Sequence, residues 1–245
     1  MEDTLIKPTP NDCALPRRRA DFATFNDAID YAARSEKGLN FHAMRGTLER
    51  AYSYREMRED ALAMARKLVA AGIKPQDRVA LISETSPEFA ALFCACTYVG
   101  AWPVPLPLPT TFGGKESYID QLVVQLESAD PALLIYPPEI EEMTRAAAER
   151  VGCKGIDWDS LAQRDAPEVE LPTAKPDDIC YLQYSSGSTR FPTGVAVTHA
   201  ALLHNLYGHA QAMDLGTNDR CVSWLPWYHD MGLVGCFLSL IANQV

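Results

Sequence analysis

Positive charge is scarce in these 245 residues: 22 Lys and Arg stand against 32 Asp and Glu, a formal net charge of -10. A surface of that sign repels a phosphate backbone, which excludes a nucleic-acid binder drawing its affinity from clustered cations. Long apolar runs are missing too. The apolar stretch Phe89 to Trp102 stops at Pro103, well short of the ~20 residues a membrane helix needs. Cysteine patterning is absent: the seven cysteines are odd in number, only Cys94 and Cys96 lie close together, and no spacing suggests a zinc site or disulfide framework. Reduced, mostly buried thiols are expected. Arg17-Arg18-Arg19 is followed by Ala20-Asp21-Phe22 and not by the apolar core of a signal peptide. A soluble, cytoplasmic chain of one or two domains is the expectation. Three signatures are missing as well: Gly-x-x-x-x-Gly-Lys-Ser/Thr, Gly-x-Gly-x-x-Gly and Gly-x-Ser-x-Gly, so P-loop, dinucleotide dehydrogenase and α/β-hydrolase readings lose their main support.

What is present is 47% hydrophobic and 22% charged, the balance of a globular chain. After a polar lead over residues 1–20, Thr24 and Asp27 form a capping box opening a helix that Gly38 can end. Ser53-Tyr54-Arg55-Glu56 is a stronger box; Met57, Ala61, Met64 and Leu68 then follow helical spacing to Gly72. Arg78 to Ile82 reads as a buried strand, and Ser86-Pro87-Glu88 starts a helix stopping near Gly100. Helix over Tyr118–Ala129, strand over Ala132–Tyr136 and helix over Pro138–Val151 continue the alternation. The prolines of 103–109 predict an extended surface passage in place of a central strand, and 165–176 reads as a linker. Strands are expected over Ile179–Tyr184, Gly194–Val197 and Arg220–Leu225, with a helix capped by Thr198. The pattern predicts an α/β fold, a largely parallel sheet with helices on both faces. The apolar run Gly232–Ala242 near the end predicts a core element whose partners lie downstream, as in a chain cut short.

Two stretches could carry chemistry. Tyr184-Ser185-Ser186-Gly187-Ser188-Thr189-Arg190-Phe191-Pro192-Thr193-Gly194 follows an apolar strand. Small residues let such a loop present backbone N–H groups, and its hydroxyls add donors or a magnesium ligand, which suits a polyphosphate; a plain Ser/Gly turn is the alternative. Ser223 to Leu233 holds His229-Asp230 among aromatics just past a strand. That histidine could orient a carboxylate, or be a hydrogen-bonded structural residue with Asp230 capping the next helix. His199, His204 and His209 step by about 140° on a helix and cannot converge on a metal.

In order and spacing, the two stretches resemble the adenylate-forming superfamily of acyl-CoA synthetases, peptide-synthetase adenylation domains and luciferases. Leu182 to Thr189 with Trp224 to Leu233 is most similar to the fatty acyl-AMP ligase branch. The resemblance extends upstream through Tyr52–Gly72, Asp77–Val79 and Gly100–Leu106. It implies that 21–245 is the incomplete large N-terminal adenylation domain, that the C-terminal domain is absent, and that this chain alone is catalytically incomplete. The implied reaction is attack of a fatty-acid carboxylate on ATP with Mg²⁺, giving acyl-AMP and pyrophosphate. The acyl group then passes to an acyl carrier protein, or to CoA in the synthetase alternative; a non-catalytic acyl- and phosphate-binding fragment is the third possibility. The family pattern puts Ser185, Ser186, Gly187, Ser188 and Thr189 on the phosphates, with Thr189 also on the metal. It puts catalytic His229 at the carboxylate, beside Trp227 and Gly232 on the acyl side. The chain departs from the pattern at Arg190, where the family has glycine, and at Thr193, where it usually has lysine. A guanidinium at Arg190 could clamp phosphate oxygens by fork geometry.

Overall fold

A computed structural model describes residues 15–109, 114–185, 193–216 and 218–245. At its centre is a four-stranded sheet of β3 (Arg78–Ile82), β4 (Trp102–Leu106), β5 (Leu133–Tyr136) and β6 (Gly155–Asp157), parallel throughout in the order β4-β3-β5-β6. The chain passes from β3 to β4 through α3 (Pro87–Val99), returns past β3 to β5 through α4 (Lys115–Ala129), and reaches β6 through α5 (Glu141–Val151), after which comes the short α6 (Trp158–Ala162). Successive crossovers running in opposite directions must use opposite faces if each is right-handed. The side chains follow suit. Val79, Leu81, Leu133 and Ile135 point into a core cluster with α3, α1 (Phe25–Ala32) and α2 (Tyr54–Ala70), while Ala80, Ile82, Leu134 and Tyr136 point into a second cluster with α4 and α5. Both faces are therefore buried, which is why these strands read as unbroken apolar runs.

The prolines of 102–106 do not keep that segment out of the sheet; it is β4, the edge strand on β3. The reason is the period of the strand. Trp102 N–H donates to Asp77 O at 2.7 Å and Leu106 O accepts from Ser83 N–H at 2.8 Å, so the even residues bond β3. The missing N–H groups of Pro103 and Pro105 fall on the side away from the ladder, where an edge strand needs none.

Local signals set the helix starts. Thr24–Asp27 and Ser53–Glu56 are complete capping boxes, and Ser86 accepts from Phe89 N–H with Pro87 in the first turn. Gly100 ends α3 in the left-handed region at φ 73°. Gly38, expected to end α1, instead opens β1 (Gly38–His42), paired antiparallel with β2 (Leu48–Ser53). A Cβ there would lie 2.2 Å from Tyr52 O, so the glycine serves a close backbone approach. Residues 220–225 form no strand: the segment has no strand pairing, and Val222 and Trp224 are exposed. Residues 166–175 likewise form neither helix nor strand.

The apolar run near the end folds as a π-helix (Met231–Leu238) continued by α8 (Ser239–Asn243). Its partners lie upstream, contrary to the expectation from sequence. Leu233, Phe237, Leu238, Ile241 and Ala242 are buried in the first cluster, Phe237 edge-on to Phe93 and stacked on Trp227. Among the described residues, no helix is long and apolar enough to cross a membrane.

Candidate functional site

The strand β7 (Ile179–Ser185) carries the first candidate stretch and pairs antiparallel with β8 (Thr193–Thr198), Ser185 opposite Thr193. The loop expected to bind phosphate connects these two strands in sequence. Ser186, Gly187, Ser188, Thr189 and Arg190 lie outside the described residues, as does the side chain of Ser185. Its base is fixed on both sides. The Tyr181 ring lies 5.9 Å from Phe93 in the first cluster, Leu182 and Tyr184 pack on the second, and Tyr184 OH donates to Gln125 O of α4 at 3.4 Å. Beyond the hairpin, α7 (His199–Ala212) starts on Thr198, whose hydroxyl accepts from Ala201 N–H.

The second candidate stretch reaches this base directly. Gln183 Nε2 donates to Tyr228 O at 2.6 Å, joining a residue two before Ser185 to the residue just before His229. His229 is half exposed, and its Nδ1 lies 2.7 Å from Asp230 Oδ1, which also accepts from Met231 N–H at 2.7 Å. Asp230 can therefore hold the ring and the first π-helix amide together, leaving Nε2 as the nitrogen available to another group. Trp227 is buried: it stacks on Phe237 at 4.4 Å and contacts Phe89 and Phe41 at 5.7 and 6.0 Å, so it forms the floor beneath the His229 segment. At Gly232 an added Cβ would lie 2.2 Å from Pro226 O, so only a glycine lets the π-helix start against the 225–226 backbone.

Other polar groups are committed elsewhere. His199 is buried, with Nδ1 accepting from Phe25 N–H at 3.1 Å, and desolvation pulls its pKa down to about 4. His209 Nδ1 lies 2.9 Å from Ser239 Oγ. Of the six described cysteines, all free, Cys94, Cys96 and Cys180 are buried, Cys153 and Cys236 half-buried and Cys221 exposed. Burial pushes the thiols of Cys94, Cys96 and Cys180 above their ordinary range, the opposite of an activated nucleophile. Two clefts, about 600 Å³ between Ala20–Ala23 and α7 and about 290 Å³ beside Trp102, Ile179 and His199, are lined by none of the expected site residues that are described. His204 lines the first and His199 the second, with His199 Nδ1 already engaged by Phe25 N–H, so cavity size alone marks neither as the site. The Gln183–Tyr228 tie and the π-helix were not foreseen: a lone glutamine in a strand and a continuous apolar run carry no local signal for either.

The model of the family described as AMP-binding enzyme matches residues 31–244. A Caulobacter vibrioides protein named as an acyl-CoA synthetase is 42% identical over 247 aligned positions, covering 98% of this chain and 42% of that protein. A solved structure from a study of fatty acyl-adenylate ligases of E. coli and L. pneumophila superposes with a TM-score of 0.90 at 42% identity, over 94% of this chain and 42% of that one. A fatty acyl-adenylate ligase of L. pneumophila, solved with acyl adenylate and pyrophosphate, gives 0.79 at 25% identity over 95% and 40%. The chain spans about two fifths of the length of these relatives. With the sheet, hairpin and histidine segment in that arrangement and the family matched over most of its length, this chain belongs to the AMP-binding enzymes.

Proposed function

We propose that the chain is the part of a fatty-acid adenylating ligase that brings the triphosphate of ATP to a fatty-acid carboxylate. The observation that carries this reading is the Gln183–Tyr228 hydrogen bond, which sets the base of the hydroxyl-rich hairpin beside the His229 segment. Residues 1–20 are read as a lead, 21–245 as an adenylation domain shared with further sequence, 165–176 as a linker within it, and the location as cytoplasmic. In the reaction, a carboxylate oxygen attacks the α-phosphorus and pyrophosphate leaves. Both reactants are anionic, so the protein's task is alignment and charge neutralisation by oriented donors. Ser185, Ser186, Gly187, Ser188 and Thr189 would offer backbone and hydroxyl donors to the phosphates, and Arg190 its guanidinium. His229, held by Asp230, would orient the carboxylate through Nε2, with Trp227 beneath and Gly232 setting the approach of the acyl side.

Magnesium would arrive with ATP and neutralise phosphate charge. Among the described residues no group of three His, Cys, Asp or Glu could hold a metal, so phosphate oxygens and Thr189 are its proposed ligands. The test is fatty-acid-dependent exchange of pyrophosphate into ATP by a polypeptide of the relatives' length that includes these residues. Exchange is expected, with loss in His229→Ala and a raised KM for ATP in Arg190→Ala. Absence of exchange with any fatty acid would reject the reading. The synthetase-named Caulobacter relative favours a second reading on the acceptor, in which CoA takes the acyl group in place of a carrier-protein pantetheine; supplying each thiol to preformed acyl-AMP separates the two.

A further inference from the structure

Gln183 sits on β7 with 7% of its surface exposed, yet its amide uses only part of its hydrogen-bonding capacity. Nε2 donates to Tyr228 O at 2.6 Å, whereas Oε1 is buried with no partner among the described residues. Burying an amide that is half satisfied costs stability, and a methionine of similar volume would fill the same space without an unmatched carbonyl. Among the described residues, the gain the glutamine offers over methionine is the bond it donates. That bond crosses 45 positions of sequence. It starts from a strand packed into both core clusters and ends on the carbonyl before His229, in a turn otherwise closed locally by His229 N–H on Pro226 O.

We propose that Gln183 is a positioning residue: it fixes the height of the His229 segment relative to the hairpin, so that carboxylate and triphosphate meet in register. This rests on the adenylation reading above. A group that acts on alignment lowers kcat more than it raises KM, because both substrates still bind but fewer bound pairs are in line. Gln183→Met, which keeps the volume and loses the donor, is expected to lower kcat about ten-fold, the worth of one neutral hydrogen bond, with KM for fatty acid and ATP changed less than three-fold. Gln183→Glu supplies a pH signature. A carboxyl buried at this site has its pKa raised and, when protonated, can donate to Tyr228 O. Its kcat relative to Gln183→Met at the same pH should therefore rise as pH falls. A purely packing role predicts no such recovery.

The clamp is also read on this chain without turnover, by hydrogen exchange. In Gln183→Met the amides of 227–231 should exchange faster while those of β3 and β5 are unchanged. Unchanged exchange at 227–231, or a wild-type kcat in Gln183→Met, would overturn the proposal. If the wild-type polypeptide shows no fatty-acid-dependent pyrophosphate exchange, the adenylation reading falls, and the exchange protection of 227–231 still decides whether Gln183 is the clamp.

Discussion

A few atoms settle the backbone at the candidate site, and Gly232 is the sharpest case. Its missing side chain leaves room for Pro226 O, which a Cβ would approach to 2.2 Å. Gly232→Ala is therefore expected to destabilise by roughly 2–3 kcal/mol through overpacking, measured as a lowered urea midpoint, and to reduce pyrophosphate exchange along with it. His199 makes a different contribution. Its folded pKa of about 4 lies below the ordinary histidine value of 6.5 because burial disfavours the imidazolium. Between those values the unfolded chain binds a proton that the folded chain refuses, so stability falls as pH drops from about 6.5 to about 4 and is not lost further below that. The full effect is roughly 3 kcal/mol. Urea midpoints at pH 7 and pH 5 should differ less in His199→Gln than in wild type; an equal difference would show that His199 is not the group responsible. Neither property is visible in the letters alone, since a glycine in an apolar run and a histidine after a capping threonine have many possible neighbours.

At the scale of elements, the sequence speaks most clearly where one turn of chain contains the whole interaction. The Ser53–Glu56 box closes within four residues, and Ser53→Ala should cost about 1 kcal/mol. The proline-rich strand is the reverse case, because prolines deny an N–H but do not say which side of the strand loses it. On β4 the loss falls away from β3. Pro105→Val is accordingly expected to change stability by less than about 1 kcal/mol, whereas Val104→Pro, at the position bonded to β3, should cost about 3 kcal/mol or more. Thermal unfolding of the two variants checks this; equal losses would reject the alternation. The 220–225 segment has strand-like composition but no partner strand, and a strand exists only where another offers its hydrogen bonds.

Over the whole molecule, two clusters share one sheet. Neighbouring residues such as Leu81 and Ile82 belong to opposite sides, so neither side can lose its packing without loosening the strands that carry the other. Phe93 joins α3, β7 and the π-helix through its contacts with Tyr181 and Phe237. Phe93→Ala is expected to cost about 3–5 kcal/mol and to lower the urea midpoints seen by far-ultraviolet circular dichroism and by tryptophan fluorescence together. A shift in only one signal would show that the two clusters unfold separately.

The amino-acid sequence by itself determined where the helices capped by Thr24, Ser53, Ser86 and Thr198 begin, that β3 is a buried strand, the α/β alternation, and the two stretches whose residue types suit phosphate and carboxylate. Capping, proline placement and side-chain period act over one or two turns of chain, so they can be read from neighbours in sequence. Only the tertiary structure decided that β4 is an edge strand, that the terminal apolar run finds its partners upstream, and that Gln183 reaches Tyr228. Those outcomes depend on which distant groups share a hydrogen bond or a cavity, and that choice belongs to the packing of the whole chain.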